Sequence, residues 1–402
     1  MAESRPVTVL CLASYFKGTT FLQACKQLGC RVLLVTREKL AEEAWPRESI
    51  DQIYYMPNLS KQPDIIYAIA YLMRSEAIDR IVPLDDYDVE TAASLREHFR
   101  LPGLGESTSR YFRDKLAMRM QAQQAGFLVP DFSPVFNYDK LREFMDRVQP
   151  PWLLKPRSEA GAMGIKRVQS AEEVWRWLDR LGDEQSYFLL EQYVPGEVFH
   201  VDSIVWENEV VFAAAHKYAQ PPMNVAHEGG VFISRTLPRD GKETQKLLAL
   251  HHGVLEAFGL VRGVTHMEFI KGTADDRFYF LETAARVGGA NIEQLVEAAT
   301  GVNLWAEWAR LETAHAQDQP YQTPQDEGKY AGVLICLARQ EWPDLAGYQD
   351  SEIVYRLNKK HHAGLVVASE DVNRIEALIA DYSQRFAHDF LAVAPPLDKP
   401  PS

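Results

Sequence analysis

Two apolar stretches that each carry an acid decide how this chain folds; they read VTHMEFI at residues 264–270 and FYFLETAAR at residues 278–286. Carboxylates near the middle of two such strands, here Glu268 and Glu282, would repel each other if the strands were neighbours. A divalent cation between them would remove the repulsion, and hard oxygen ligands suit Mg²⁺ that bridges the phosphates of a nucleotide. The other interpretation is a structural ion pair between Glu282 and Arg286, which alternation places on one face of the strand.

Around these stretches the chain consists of strands joined by short turns with interspersed helices, a pattern typical of an α+β ligand-binding body. The pattern predicts strands at 152–157, 165–168, 187–194, 197–206, 209–217, 264–270 and 278–286, and helices at 108–125, 171–181, 243–258 and 291–300. The tail from residue 330 adds a strand at 333–338 and a helix at 372–386, and it ends in a Pro-rich stretch that we expect to be frayed.

The first 105 residues follow a different pattern, in which short apolar runs alternate with segments of helical spacing. This alternation predicts a parallel sheet with helices on both faces. The turn at residues 14–18 holds one glycine, so it lacks the dinucleotide fingerprint and NAD binding is not expected. Asp85 and Asp86 follow a strand, and we favour a helix-start cap over a ligand contact for them.

A lysine, Lys155, lies inside the apolar strand WLLKPR at residues 152–157. Burying an ammonium is costly unless it meets an anion. The loop that follows, residues 158–164, holds Gly161 and Gly164, and small residues let backbone amides approach phosphate oxygens. A phosphate site and a simple hairpin with Lys155 on an edge strand explain this segment equally well.

The third candidate is the stretch LLEQYVPGE at residues 189–197, an apolar strand that runs into a short turn. Backbone groups at such a turn can pair with the edge of a purine, and Glu197 could accept hydrogen bonds from ribose hydroxyls. Taken alone, the stretch is better explained as an ordinary hairpin.

Taken together and in this order, the motifs resemble the ATP-grasp superfamily, in its carboxylate-amine ligase branch, from about residue 114 to residue 301. The resemblance implies an ATP-grasp fold of α/β and α+β type. It implies four units: a Rossmann-like pre-ATP-grasp domain at 1–105, a linker helix and small subdomain at 106–186, a large subdomain at 187–329, and a small C-terminal α+β extension at 330–402.

The site that the resemblance implies binds ATP together with Mg²⁺, or with Mn²⁺ as a possible substitute. Its residues are Lys115, Lys155, Gly161 and Gly164 at the phosphates, Glu191 and Val194 at the adenine, Glu197 at the ribose, Glu268 and Glu282 at the metal, and Arg286 at the transferred phosphate. Arg286 and Lys155 are the expected catalytic residues. We add His266 because alternation places it beside Glu268.

One position departs from the family pattern. Many members have a metal-binding asparagine two residues beyond the second acid, where this chain has Ala284. Water or Asn291 could fill that metal position, or it could be absent. The segment ETAAR followed by two glycines is similar to ligases that join amino acids into dipeptides, some of which lack the asparagine. A decayed enzyme is less favoured, because both acids, both lysines and Arg286 remain.

The chemistry implied is an ATP-dependent ligation, in which a carboxylate becomes an acylphosphate that an amine then attacks to form an amide or peptide bond. The alternatives are a carboxylase or purine-pathway ligase of the same superfamily, and a nucleotide-binding regulatory protein without turnover. Small-molecule carboxylates and amines are the expected partners, and a homodimer is possible. For the amine site the candidates are His200, Asp202, His216, Lys217 and the polar loop at residues 224–230.

Composition sets the remaining limits. The chain has 402 residues, of which 46% are apolar, so it has enough apolar material for two or three packed units. Its formal net charge of −13 disfavours nucleic acid or an anionic membrane as the main partner. We find no transmembrane or signal segment, and the four cysteines have no metal-ligand spacing. We therefore expect a cytoplasmic protein with reduced thiols.

Overall fold

The computed structural model describes residues 5–394, and its first part is a four-stranded parallel sheet, the N-terminal sheet. The predicted alternation is confirmed, and the strand order is β3-β2-β1-β4. Helix α1 covers one face, where Cys11 and Phe21 share a core, and α2 and α3 cover the other, where Leu10 packs near Ile65. The elements are β1 (Thr8–Ala13), α1 (Thr19–Gln27), β2 (Arg31–Arg37), β3 (Gln52–Met56), α2 (Asp64–Leu72), β4 (Arg80–Pro83) and α3 (Val89–Phe99).

The helix predicted at residues 108–125 is interrupted. The structure has a short helix α4 (Glu106–Ser109) and a second helix α5 (Lys115–Gln124). Asp114 causes the break, because its extended backbone ends one segment while its side chain accepts hydrogen bonds from the first amides of α5. The Lys115 amide donates to the carbonyl of Arg157 at 2.8 Å, which fixes the start of α5 beside the next sheet.

The next part is a four-stranded antiparallel sheet, the small sheet, in the order β5-β8-β6-β7. Lys155 lies on β6, which pairs with a strand on each side, so the edge-strand interpretation of Lys155 is wrong. The sequence pattern did not predict β5 or α6. The elements are β5 (Phe132–Pro134), α6 (Tyr138–Arg147), β6 (Trp152–Pro156), β7 (Lys166–Val168), α7 (Ala171–Leu181) and β8 (Phe188–Gln192).

The remaining strands form one antiparallel sheet of eight, the large sheet, in the order β13-β12-β9-β10-β11-β14-β16-β15. Its last three strands come from the segment beyond residue 330, which therefore extends this sheet and does not form a sheet of its own. The elements are β9 (Gly196–Trp206), β10 (Glu209–Tyr218), α8 (Pro222–Glu228), β11 (Phe232–Thr236), α9 (Lys242–Phe258), β12 (Gly263–Gly272), β13 (Phe278–Ala284), α10 (Ile292–Thr300), α11 (Leu304–Ala316), β14 (Tyr330–Leu337), β15 (Ile353–Arg356), β16 (His362–Ser369) and α12 (Val372–Asp389).

Two apolar layers hold the large sheet in place. On one face α11 packs against α1 of the N-terminal part, where the rings of Phe21 and Trp308 lie 5.6 Å apart edge to face. On the other face α5 and α9 cover Phe199 and Met267. The predicted loop at residues 224–230 is mostly the helix α8, and most of the Pro-rich end lies outside the described residues.

Within residues 5–394, no helix combines the length and the apolar character that crossing a bilayer requires. The four cysteines are all free thiols with buried side chains.

Acid titration should unfold the protein partly through His251, a fully buried histidine of α9 whose Nδ1 has no hydrogen-bond partner among residues 5–394. Burial lowers its pKa to about 3, while an unfolded histidine titrates near pH ~6.5. Between these two pKa values the unfolded chain binds a proton at this histidine and the folded chain does not. The free energy of unfolding therefore falls as the pH drops from about 6.5 to 3, by up to ~1.4 kcal/mol per pH unit.

His251→Leu should make this fall shallower by about one proton, measured by denaturant unfolding at several pH values. The matched control is His252→Leu, since His252 is exposed on the same helix. Equal slopes for wild type and His251→Leu would contradict the assignment.

Candidate functional site

A cavity of about 470 Å³, here called the first cavity, is lined by residues of the small sheet, the large sheet and the loop after β4. It brings most of the predicted site residues to one place. They are Lys115, Lys155, Gly161, Glu191, Val194, His266, Glu268, Glu282 and Arg286. Residues that are far apart in the chain thus face one another across a single space.

Glu268 and Glu282 lie directly opposite each other, because β12 and β13 are neighbouring strands and their register pairs these two residues. Lys115 Nζ lies 3.1 Å from Glu282 Oε2. Burial acts to raise the pKa of Glu282, but Lys115, followed by Lys155, outweighs burial and holds this pKa below its usual value. Two facing carboxylates, one of them held ionised, form a donor set of hard oxygens that fits Mg²⁺.

Arg286 does not form the structural ion pair with Glu282 that was the alternative to a metal site. Its Nε lies 3.4 Å from Asp86 Oδ1, and Glu282 pairs with Lys115. Burial acts to raise the pKa of Asp86, but Arg286 and then Arg113 outweigh it and lower the pKa to about 2. Asp86 is therefore a buried anion that holds the Arg286 guanidinium at the cavity wall.

Asp85 caps the start of a helical turn, as the sequence predicted. Its carboxylate accepts a hydrogen bond from the Tyr87 amide at 3.0 Å, at the start of a short 3₁₀ turn. It also pairs with Lys17 at 2.6 Å, and both side chains line the first cavity. The cap interpretation is thus confirmed for Asp85, while Asp86 contacts a site residue.

A charge triad lies deeper in the first cavity, where Glu191 sits between Arg119 and Lys155. Arg119 Nε donates to Glu191 Oε2 at 2.7 Å, and Lys155 Nζ donates to the other oxygen of the same carboxylate. Glu191 and Arg119 are each 1% exposed. Two cations share one anion, so one positive charge remains for a negative ligand.

Sequence reasoning missed Arg119. It lies four residues after Lys115 on α5, so the two side chains share one face of the helix, and this spacing was the available signal. For Lys155, burial lowers the pKa and Glu191 partly opposes that effect.

Glu197 and Gly164 are the predicted site residues that do not line the first cavity. Glu197 is 57% exposed at its side chain and pairs with Lys217 at 2.7 Å. Its chain neighbours Gly196 and Val198 do line the cavity, so alternation along β9 turns Glu197 to the other face. Gly164 is buried at the end of the loop.

The loop at residues 158–164 closes one side of the first cavity. Its φ of 65° at Gly161 and 69° at Gly164 is a conformation that glycine adopts without strain. Lys115 Nζ donates to the Glu159 carbonyl at 2.6 Å, and the Tyr87 hydroxyl donates to the Glu159 carboxylate at 2.7 Å. On the far side, His227 Nε2 lies 3.2 Å from the Ala162 carbonyl oxygen.

The histidines of the predicted site form a buried network around Asp202. His200 Nδ1 and His266 Nδ1 lie 2.6 and 2.9 Å from its two oxygens. Burial acts to lower the pKa of His266, but Asp202 outweighs it and raises the pKa to about 9. For His216, in contrast, burial lowers the pKa to about 3. His266 is therefore a buried cation, and its Nε2 lies 3.5 Å from Glu268 Oε1.

Tyr218 is a second functional candidate that sequence reasoning missed, since nothing in the strand pattern of β10 distinguishes it. Its hydroxyl donates to Glu268 Oε1 at 2.8 Å. Together, Tyr218 and His266 fix the orientation of one of the two facing carboxylates. Such supporting contacts commonly tune metal affinity.

Ala284 lies opposite His266 on the neighbouring strand and is buried. Asn291, one of the suggested replacements at this metal position, does not line the first cavity, and its amide donates to Gln294 Oε1 at 2.7 Å. Water therefore suits the missing ligand better than Asn291 does.

Tyr218→Phe should raise the Mg²⁺ concentration needed for half-maximal activity by on the order of 10–100-fold, because Glu268 loses a fixed hydrogen-bond donor. The matched control is Tyr321→Phe, which removes a hydroxyl that donates to Glu307, a residue that does not line the first cavity. A Mg²⁺ dependence in Tyr218→Phe equal to that of wild type would show that Tyr218 does not support the metal site.

Comparisons with known proteins find similar sequences and solved structures, although no protein-family model matches the chain. The L-arginine-specific L-amino acid ligase of Bacillus subtilis is 24% identical over 362 residues, which cover 84% of this chain and 86% of that protein. The L-amino acid ligase structure from Bacillus licheniformis aligns with a TM-score of 0.75 at 16% identity, over 97% of this chain and 99% of that one.

A third protein has the same fold with a different chemistry. The biotin carboxylase domain dimer of the Hydrogenobacter thermophilus 2-oxoglutarate carboxylase, solved with MgADP and bicarbonate, aligns with a TM-score of 0.70 at 16% identity, over 95% of this chain and 90% of that one. The fold of this chain is thus the ATP-grasp fold, as its motifs suggested. These relatives and structures are consistent with the carboxylate-amine ligase branch of the ATP-grasp superfamily, which the motifs of this chain resemble.

Proposed function

We propose that the protein is an ATP-dependent ligase that activates an amino-acid-like carboxylate and joins it to an amine, with release of ADP and phosphate. The observation that carries this proposal is the pair of facing acids, Glu268 and Glu282, in one cavity with Lys115, Lys155 and Arg286. The similarity to an L-arginine-specific L-amino acid ligase over most of both chains supports an amino acid as one substrate.

The residues present fit a nucleotide with its metal. Glu268 and Glu282 would hold Mg²⁺, or Mn²⁺, which would neutralise negative charge on the phosphates when bound. Lys115 and the Arg119–Glu191–Lys155 triad supply positive charge beside them. The Gly161 loop covers this end and Val194 offers an apolar contact for the base. The ribose contact of Glu197 stays a prediction, since this side chain is exposed and pairs with Lys217.

The role of Arg286 follows from the chemistry of the carboxylate. A carboxylate does not react with an amine at neutral pH, because oxide is a poor leaving group; an acylphosphate supplies phosphate in its place. Negative charge accumulates while the γ-phosphate moves, and a fixed guanidinium stabilises that charge at little reorganisation cost. Asp86 holds Arg286 in place for this task, and the closed loop excludes water that would hydrolyse the acylphosphate.

An assay of phosphate release with amino acids, singly and in pairs, tests the proposal most directly. We expect ADP and phosphate only when both a carboxylate and an amine are present, and we expect hydroxylamine to trap the acylphosphate as a hydroxamate. AMP and pyrophosphate as products would contradict the proposal. Turnover with bicarbonate or with a ribonucleotide would point instead to the carboxylase or purine-pathway chemistry of the superfamily.

Two further parts of the proposal concern the setting of the reaction. Four buried free thiols suit the reducing cytoplasm, where we place the protein. A homodimer is supported by the dimer of the carboxylase domain with the same fold, and light scattering of the purified protein would test it.

A further inference from the structure

A second cavity of about 320 Å³ is lined by residues of the N-terminal part and of the large-sheet part of the chain. Arg96 of α3 and Arg262 at the start of β12 line it, together with Glu312 and His315 of α11. Arg80, at the start of β4, contacts both of these α11 side chains. Three guanidiniums from three elements therefore meet beside one space.

Burial of these three arginines is nearly complete. Arg80 and Arg96 are 5% and 6% exposed, and the side chain of Arg262 is 6% exposed. Among residues 5–394, the Nε atoms of Arg80 and Arg262 have no hydrogen-bond partner. Buried polar groups are normally satisfied, so the unpaired Nε of Arg262, which lines the cavity, indicates a missing acceptor.

The acids nearby do not balance this charge. Glu312 Oε2 lies 3.4 Å from Arg80 Nε and 3.9 Å from Arg262 Nε, so one carboxylate is shared between two guanidiniums. Glu207 pairs with Arg262 at 3.0 Å, but its side chain is 50% exposed. Arg96 donates to the backbone carbonyls of Ile81 and Leu104 and takes part in no ion pair within the described chain.

Electrostatics agrees with the geometry. Burial, opposed by Glu312 and aided by the neighbouring Arg262 and Arg80, lowers the pKa of Arg96 to about 10. Burial likewise lowers the pKa of Arg80. Charges that lose their water this way are normally paired with an anion.

We propose that the second cavity binds a small organic anion through a carboxylate or phosphate group held by Arg96 and Arg262. The guanidinium fork matches the two oxygens of either group, and a volume of about 320 Å³ suits a small metabolite. The site is separate from the first cavity but next to it: Ala285 lines the second cavity, and the following residue, Arg286, lines the first. A bound anion would join the N-terminal part to the strand that carries Glu268.

Thermal unfolding and calorimetric titration with two probes, inorganic phosphate and malonate, test the site at constant ionic strength. We expect at least one probe to raise the melting temperature of the full-length protein, and the more effective probe distinguishes a phosphate from a carboxylate ligand. Because Lys155 in the first cavity could also bind phosphate, Lys155→Gln is measured in parallel and should keep the response.

Arg262→Gln should weaken binding of the effective probe on the order of 10–100-fold, because a hydrogen-bonded charge is removed. Arg147→Gln is the matched control, since Arg147 is 61% exposed and lies in the small-sheet part of the chain. Thr108→Glu provides a second variant if Arg262→Gln folds poorly: Thr108 lines the second cavity, so the new carboxylate should raise the melting temperature without any probe and abolish the response to it.

Two results would overturn the proposal. One is the absence of any response to either probe in the wild-type protein. The other is a response that persists in Arg262→Gln and Thr108→Glu but vanishes in Lys155→Gln, because the anion would then bind in the first cavity.

Discussion

Glu282→Gln will lower kcat on the order of 10³-fold while the protein keeps its fold. The amide has nearly the shape of the carboxylate but no charge, so the metal loses one of two facing ligands and Lys115 loses its anion. Single groups that stabilise transition-state charge in such sites are worth about 10²–10³-fold each. The measurement is phosphate release over a range of Mg²⁺ concentrations, with circular dichroism as the check on folding.

Glu256→Gln is the matched control for this substitution. Glu256 is exposed on α9, away from the first cavity, so its replacement should leave kcat and the Mg²⁺ dependence unchanged. If Glu282→Gln retained wild-type turnover at all Mg²⁺ concentrations, the assignment of the metal to the two facing acids would be wrong.

Arg286→Met should reduce kcat by about 10³-fold or more, the range known for arginines that neutralise a transferring phosphoryl group. The nucleotide phosphates would still meet Lys115 and Lys155, so the dissociation constant of ATP should change much less than kcat. Single-turnover trapping of the acylphosphate, compared with equilibrium ATP binding, separates the two effects.

Arg286→Met also removes one of the two buried arginines that contact Asp86, so that Arg113 alone remains paired with it. Arg286→Lys keeps a charge at the site and should recover part of the activity but not the planar fork of the guanidinium. Arg142→Gln, on an exposed face of α6, serves as the control and should behave as wild type. An equal loss of ATP binding and kcat in Arg286→Met would assign Arg286 to the ground-state binding of ATP.

Alternation of side chains along a single strand was enough to predict some residues of the candidate site. The acids Glu268 and Glu282 could be found from the sequence because each interrupts an apolar run, and the structure places them face to face. Applied to β9, the same alternation rule places the side chain of Glu197 on the opposite face of the strand from Gly196 and Val198. Glu197 was chosen from its place beside the turn of the 189–197 stretch, and in the structure its side chain does not line the first cavity.

Other features depend on partners that are distant in the sequence. Nothing near Asp114 indicates that it will pair with Arg157 and divide a helix in two. The proximity of Tyr218 and Glu268 arises because β9 lies between their strands and brings them into register. The pairing of β14 with β11, which adds the last three strands to the large sheet, is likewise not predictable from periodicity, because periodicity describes the faces of a strand and not its neighbours.

The pairing of β11 with β14 has a consequence for how the chain can be divided. The resemblance suggested a boundary at residue 329, but four register pairs join Phe232–Arg235 to the strand that begins just after it. A chain that ended at residue 329 would leave Phe232–Thr236 as an exposed edge strand, with unpaired amides and carbonyls facing solvent. Such an edge recruits strands from other molecules, so the C-terminal segment protects the protein against aggregation as well as completing its fold.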